Sequence, residues 1–180
     1  DALWGEMAPV PGSQLAVLRG GDEVRVGERR LSVAYTPGHA VHHVSFLDRD
    51  TRIAFVGDVA GVYTGGGYVR PPMPPPDIDV EAWLASVARI RTWQPEALFV
   101  THFGPSSEVG PHLASVEQNV RAMSEMVRQS LAQPGNDADK ARAFADYVRA
   151  QLATHLTPDD IAPHEVGRSE EHTSELQSRF

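Results

Sequence analysis

A chain of 180 residues, 41% hydrophobic and 22% charged, has ordinary globular usage and room for one domain with a real core, which argues against wholesale disorder. Its formal charge of -8 and pI of about 5.4 argue against a general nucleic-acid binder, because a surface that tracks phosphates needs a basic stripe. With no cysteine there are no disulfides, thiolate zinc sites or cysteine nucleophiles, so any metal must be held by His, Asp or Glu.

The chain starts at Asp1 with no initiator Met, within what reads as structured sequence, and is expected to lack its beginning. No signal-like segment opens it, and no apolar run approaches the roughly 20 residues that cross a bilayer. The expected setting is the cytoplasm, and the expected partner a small-molecule substrate rather than nucleic acid or membrane. Apolar runs at 15–18, 24–26 and 31–35, separated by Gly20-Gly21-Asp22 and Gly27-Glu28, predict a small antiparallel meander. Val44, Phe46, Ile53 and Phe55 alternate around Asp48-Arg49-Asp50, which predicts a hairpin with one buried face.

Residues 59–76 contain Gly65-Gly66-Gly67 and a proline-rich stretch after Arg70, and predict a long loop, either a lid beside a site or a linker from sheet to helix. Asp79 suits the N-cap of a helix on which Val80, Trp83, Leu84, Val87 and Ile90 share a face, ending near Trp93. The apolar run at 97–100 predicts a strand buried on both faces, with a loop at 104–107. From Pro111, Leu113, Val116, Val120, Met123, Val127 and Leu131 recur at three- and four-residue steps, an amphipathic helix that Pro134-Gly135 ends. Another helix is expected from Asn136 or Asp137, turning Phe144, Val148 and Leu152 inward, and Thr157-Pro158-Asp159-Asp160 carries the signals of a further start. Residues 168–178 resemble the translation of a widely used short-read sequencing adapter, so the expected division is an incomplete domain with a C-terminal helical extension at 1–167 and a non-native tail at 168–180, and His172 carries no functional weight.

Three short runs end in a side chain able to bind metal. The first leads into Thr36-Pro37-Gly38-His39, where Pro37 fixes φ and Gly38 opens backbone angles closed to other residues. The run at 52–56 leads into Gly57-Asp58, and that at 97–100 into Thr101-His102. Three strands would thus deliver His39, Asp58 and His102 to one sheet edge, a candidate metal-dependent active site. The structural alternatives are a turn histidine, a turn-capping aspartate and a buried hydrogen-bonded histidine. His42 is expected to be exposed, and His112, His155 and His164 to be surface residues. Tyr63, Tyr68 and Arg70, in the long loop, are candidates to contact an anionic or acyl substrate, against the alternative of a solvated loop. No G-x-S-x-G elbow is present, and Ser45 falls within a strand pattern, so a serine nucleophile is poorly supported.

Taken in order, T-P-G-H-A-V-H-H-V-S-F, F-V-G-D and V-T-H-F-G-P resemble the motifs of the metallo-β-lactamase superfamily, particularly its glyoxalase II-like and lactonase-like branches, over residues 4–131. The resemblance implies an α+β fold, the C-terminal part of a four-layer αββα sandwich. It implies that His39 completes the three-histidine shell of a first metal, that Asp58 bridges two metals and is the candidate catalytic carboxylate, and that His102 ligates the second metal. His43 stands where the family often has a second histidine, and would either support the ligands or simply pack. The family's remaining ligands come from an H-x-H-x-D-H motif upstream of the position of His39, and residues 1–38 contain none.

The implied function is that of a zinc-dependent hydrolase holding two Zn2+ ions, with Fe or Mn as alternatives, in which metal-bound hydroxide attacks an ester, thioester, lactone or amide carbonyl. This chain alone, a fragment without the upstream histidines, is expected to bind metal weakly and to be inactive. Two alternatives stay open. One is a non-catalytic domain of the same fold that uses the Arg70-proline loop for recognition. The other is an iron-dependent, persulfide dioxygenase-like enzyme built on two histidines and a carboxylate.

Overall fold

Two consecutive hairpins build most of one sheet. The structure, a computed structural model, describes residues 8–63, 68–73, 77–102, 104–155 and 157. β1 (Glu23–Val26) and β2 (Arg29–Tyr35) pair antiparallel around Gly27, whose φ of 61° suits the tight turn. β3 (Val44–Asp48) lies antiparallel to β2 and to β4 (Ile53–Gly57). At the turn after β3, burial alone would raise the Asp48 pKa, but N–H groups of Asp50 and Thr51 and the Arg29 guanidinium hold its carboxyl below the usual value.

After β4 the chain forms a 3-10 turn, Asp58–Ala60, and then a separate antiparallel pair, β5 (Val62–Tyr63) and β6 (Val69–Arg70). The long loop expected at 59–76 is therefore paired at its flanks; its glycine triplet and the prolines at 74–76 lie outside the described residues. α1 (Val80–Thr92) starts where the Asp79 carboxylate accepts the Ala82 N–H at 2.9 Å. It returns the chain to β7 (Ala97–Val100), parallel to β4, and β8 (Pro105–Ser106) adds antiparallel to β7 where a loop was expected. The sheet order is β1-β2-β3-β4-β7-β8. α2 (Val109–Ala132) and α3 (Asp137–His155) complete the described chain. The helix start expected at Thr157 to Asp160 lies largely outside the described residues, as do His164 and the tail.

Strand alternation sorts the core. Leu47, Ala54, Val56, Leu98 and Val100 face Trp83, Val87 and Ile90 of α1 and Leu113, Val116 and Val120 of α2 in one buried cluster. Each such large side chain contributes about 1.5–3 kcal/mol when fully removed from water. Val33, Phe46, Phe55 and Phe99 stand in register across four strands on the opposite face, where the Phe55 and Phe99 rings lie 5.6 Å apart. Phe99 is 39% exposed, so β7 is buried on one face, not both as its unbroken apolar run implied. The chain thus supplies a sheet and helices packed on one face of it, an α+β arrangement. Residues 15–18 form no strand, and Leu15 and Val17 are 62% and 83% exposed, outside the sheet. No helix among the described residues is long and apolar enough to cross a membrane.

Candidate metal centre

Strand direction alone explains why three distant residues converge. β2 and β4 each run antiparallel to β3, hence in the same direction, and β7 is parallel to β4. The C-terminal ends of all three therefore open on one sheet edge, and His39, Asp58 and His102 follow those ends by one to four residues.

The His39 loop is docked onto the start of α1. Pro37 O accepts the Ser86 hydroxyl at 2.6 Å, and Gly38 O accepts the Asp79 N–H at 2.9 Å. Gly38 has φ of 126°, and a Cβ there would come within 2.3 Å of the Trp83 Cα, so both conformation and space require glycine. His39 packs edge-on against Trp83, with ring centroids 5.7 Å apart. Its Nδ1 lies 2.9 Å from Pro72 O, a pure acceptor, so Nδ1 carries the proton and, in the neutral ring, Nε2 presents its lone pair.

That lone pair faces Asp58. His39 Nε2 lies 3.6 Å from Asp58 Oδ2, and His102 Nε2 lies 3.3 Å from Asp58 Oδ1. Asp58 Oδ1 is shielded from solvent and accepts no hydrogen bond. A neutral imidazole nitrogen and a carboxylate oxygen facing each other repel unless a cation or a proton lies between them. These residues therefore fit a cation held by nitrogen and oxygen donors, and the missing thiolates leave the set suited to zinc, iron or manganese. Among the described residues the three do not close into a complete three-ligand cluster; the contacts are pairwise, each through Asp58.

His43 packs behind this arrangement. Its Nδ1 lies 2.9 Å from the Thr36 hydroxyl, which in turn lies 2.8 Å from the Ser45 hydroxyl, both fully buried. Burial, and next the nearby His39, push the His43 pKa below its usual value, with Asp58 opposing. The ring sits under Gly57, where a Cβ would approach His43 Nε2 to 2.5 Å. His42 is exposed.

The loop candidates lie elsewhere in the packing. Tyr63 tilts over His112 with centroids 5.3 Å apart, and Tyr68 is buried in a stack 4.9 Å from the His155 ring of α3. Burial raises the Tyr68 pKa and lowers that of Arg70, whose Nε is buried without a hydrogen-bond partner. No hydrogen bond or ring contact joins these three to His39 or Asp58 among the described residues.

His112 is not a surface residue. It is 3% exposed and donates through Nε2 to Ala60 O at 2.8 Å. Its position was readable: 112, 116 and 120 fall on one helical stripe with Val116 and Val120, both buried, so the apolar face of α2 passes through it. Trp83 was correctly placed in the core, but its hydrogen bond from Nε1 to Val59 O at 2.7 Å had no sequence signal.

A family model described as the Metallo-beta-lactamase superfamily matches residues 3–102. The metallo-beta-lactamase fold-containing protein of Sulfurisphaera tokodaii is 37% identical over 87 residues, 48% of this chain and 32% of that protein. An acyl-coenzyme A thioesterase of Bos taurus is 43% identical over 49 residues, 27% of this chain and 17% of that one. A metallo-beta-lactamase family protein from Thermus thermophilus is alike in fold alone, with a TM-score of 0.59 at 23% identity over 71% of this chain and 42% of its own. The chain spans about a third or less of the length of these curated relatives. Because the matched span takes in all three strand exits with His39, Asp58 and His102, the chain belongs to the metallo-beta-lactamase superfamily.

Proposed function

We propose that this chain is part of a metal-dependent hydrolase in which His39, Asp58 and His102 are ligands and an acyl ester or thioester is the substrate. The observation that carries the reading is the Asp58 carboxylate, which turns one oxygen to each of two imidazole Nε2 atoms. Zinc bound there would supply a Lewis acid and a water that ionises near neutral pH, removing the need for a protein nucleophile. The Pro72 carbonyl keeps the proton of His39 on Nδ1 and so keeps Nε2 turned to the site. Asp58 offers both oxygens and His102 reaches in from the more open side. The thioesterase relative supports a thioester.

The test is a Zn2+ titration of this chain, with weak binding expected, followed by an ester and thioester panel on a polypeptide that also carries an H-x-H-x-D-H motif upstream. Turnover that survives complete metal removal would refute the reading.

A further inference from the structure

The turn that carries Asp58 is held by two helices through its main chain. Its first carbonyl, Asp58 O, accepts the Gly61 N–H at 2.9 Å within the turn itself. The next two are taken by ring donors: Val59 O by the Trp83 indole at 2.7 Å and Ala60 O by the His112 imidazole at 2.8 Å. One donor comes from α1 and the other from α2, and Val59, Ala60, Trp83 and His112 are all buried. Neither carbonyl therefore meets solvent where an apolar ring fills the place of its donor.

His112 is an expensive residue for this position unless that bond matters. Its Nδ1 is buried with no hydrogen-bond partner, a penalty an apolar side chain would avoid. What the imidazole adds over an apolar ring of similar size is one N–H, and that N–H is spent two residues from Asp58. We propose that His112 is a positioning residue for the metal centre: with Trp83 it fixes, through Ala60 and Val59, the turn that aims the Asp58 carboxylate at His39 and His102. The inference rests on the metal reading above.

The probe is Co2+, titrated into the chain and read by its visible d–d absorption, with thermal unfolding measured in parallel. His112→Phe keeps a ring and removes the donor; His112→Gln restores a donor of similar reach. Val116→Ala, one turn further along the same buried face, is the control for destabilisation alone. His112→Phe is expected to weaken Co2+ affinity by about tenfold and to alter the d–d band, as loss of a group that orients a ligand does. His112→Gln should recover affinity to within about threefold of wild type, and Val116→Ala should lower the melting temperature while leaving affinity within the same margin. If the phenylalanine variant does not fold, His112→Asn, whose amide falls short of Ala60, is read in its place. The inference is overturned if the donor-less variant binds Co2+ like wild type, if His112→Gln loses as much as it does, or if Val116→Ala does. A wild-type chain that binds no Co2+ overturns the metal reading and the inference together, whereas normal wild-type binding with an indifferent His112 overturns the inference alone.

Discussion

His39 and His102 leave strands that run the same way to the same sheet edge, yet the chain holds them differently. The His39 side chain is 13% exposed, bonded to Pro72 O and wedged against Trp83, and the loop behind it is tied to α1 at two carbonyls. The His102 side chain is 49% exposed and follows two residues after the end of β7. Pre-organisation is thus concentrated on the β2 and β4 side of the site, where the packing that fixes His39 and Asp58 is also the hydrophobic core. On the β7 side, the His102 imidazole is half-exposed. A rigid half lowers the ordering cost of binding, while a more open half leaves room for ligand to enter.

The largest effect that sharpens this contrast is expected from glycine substitutions at the two exits. Gly38→Ala meets the Trp83 backbone at 2.3 Å with φ of 126° and should cost about 3 kcal/mol or more, or prevent folding. Gly104→Ala, with φ of 97° but open space around it, should cost only about 1 kcal/mol. Urea denaturation of both variants measures the difference, and equal losses would break the comparison.

Alanine in place of each histidine gives the next effect. Both His39→Ala and His102→Ala should weaken Zn2+ binding at least about tenfold by calorimetry. Only His39→Ala should also lose about 1–2 kcal/mol of stability, since it alone leaves a hole against Trp83 and an unpaired Pro72 carbonyl. His102→Ala, at a half-exposed side chain, should lose less stability than His39→Ala.

The smallest effect is in pH. Burial pushes the His112 pKa below 6.5, so the fold prefers the neutral ring, with its hydrogen bond to Ala60 opposing. Below the unfolded value of 6.5 the unfolded chain takes up the proton first and stability falls with pH; above it this contribution is fully present. Melting temperature should therefore drop from pH 7 towards pH 5, and the slope should be shallower in His112→Gln. An unchanged slope would mean that His112 is not the group titrating.

Much of this was legible in the residues because the signals are local. Pro37-Gly38 and Gly57-Asp58 mark strand exits by their own backbone restrictions, and the stripe through Val116 and Val120 marks α2. The failures share a cause, which is that the deciding partner is remote. Leu15 and Val17 have the composition of a strand but stand exposed outside the sheet. The run at 97–100 is apolar throughout, yet only tertiary packing decides that Leu98 and Val100 face helices while Phe99 does not. The ring donors on the Asp58 turn act across 24 and 52 residues, a separation no periodicity reports.

The most direct measurement of the central claim is a Zn2+ titration followed through the ring nitrogens of the histidines by nuclear magnetic resonance. The expected result is that Nε2 of His39 and His102 shift together on saturation and lose their response in Asp58→Asn, while His112 keeps its proton on Nε2 throughout. Shifts confined to exposed histidines such as His42, or a response undiminished in Asp58→Asn, would contradict it.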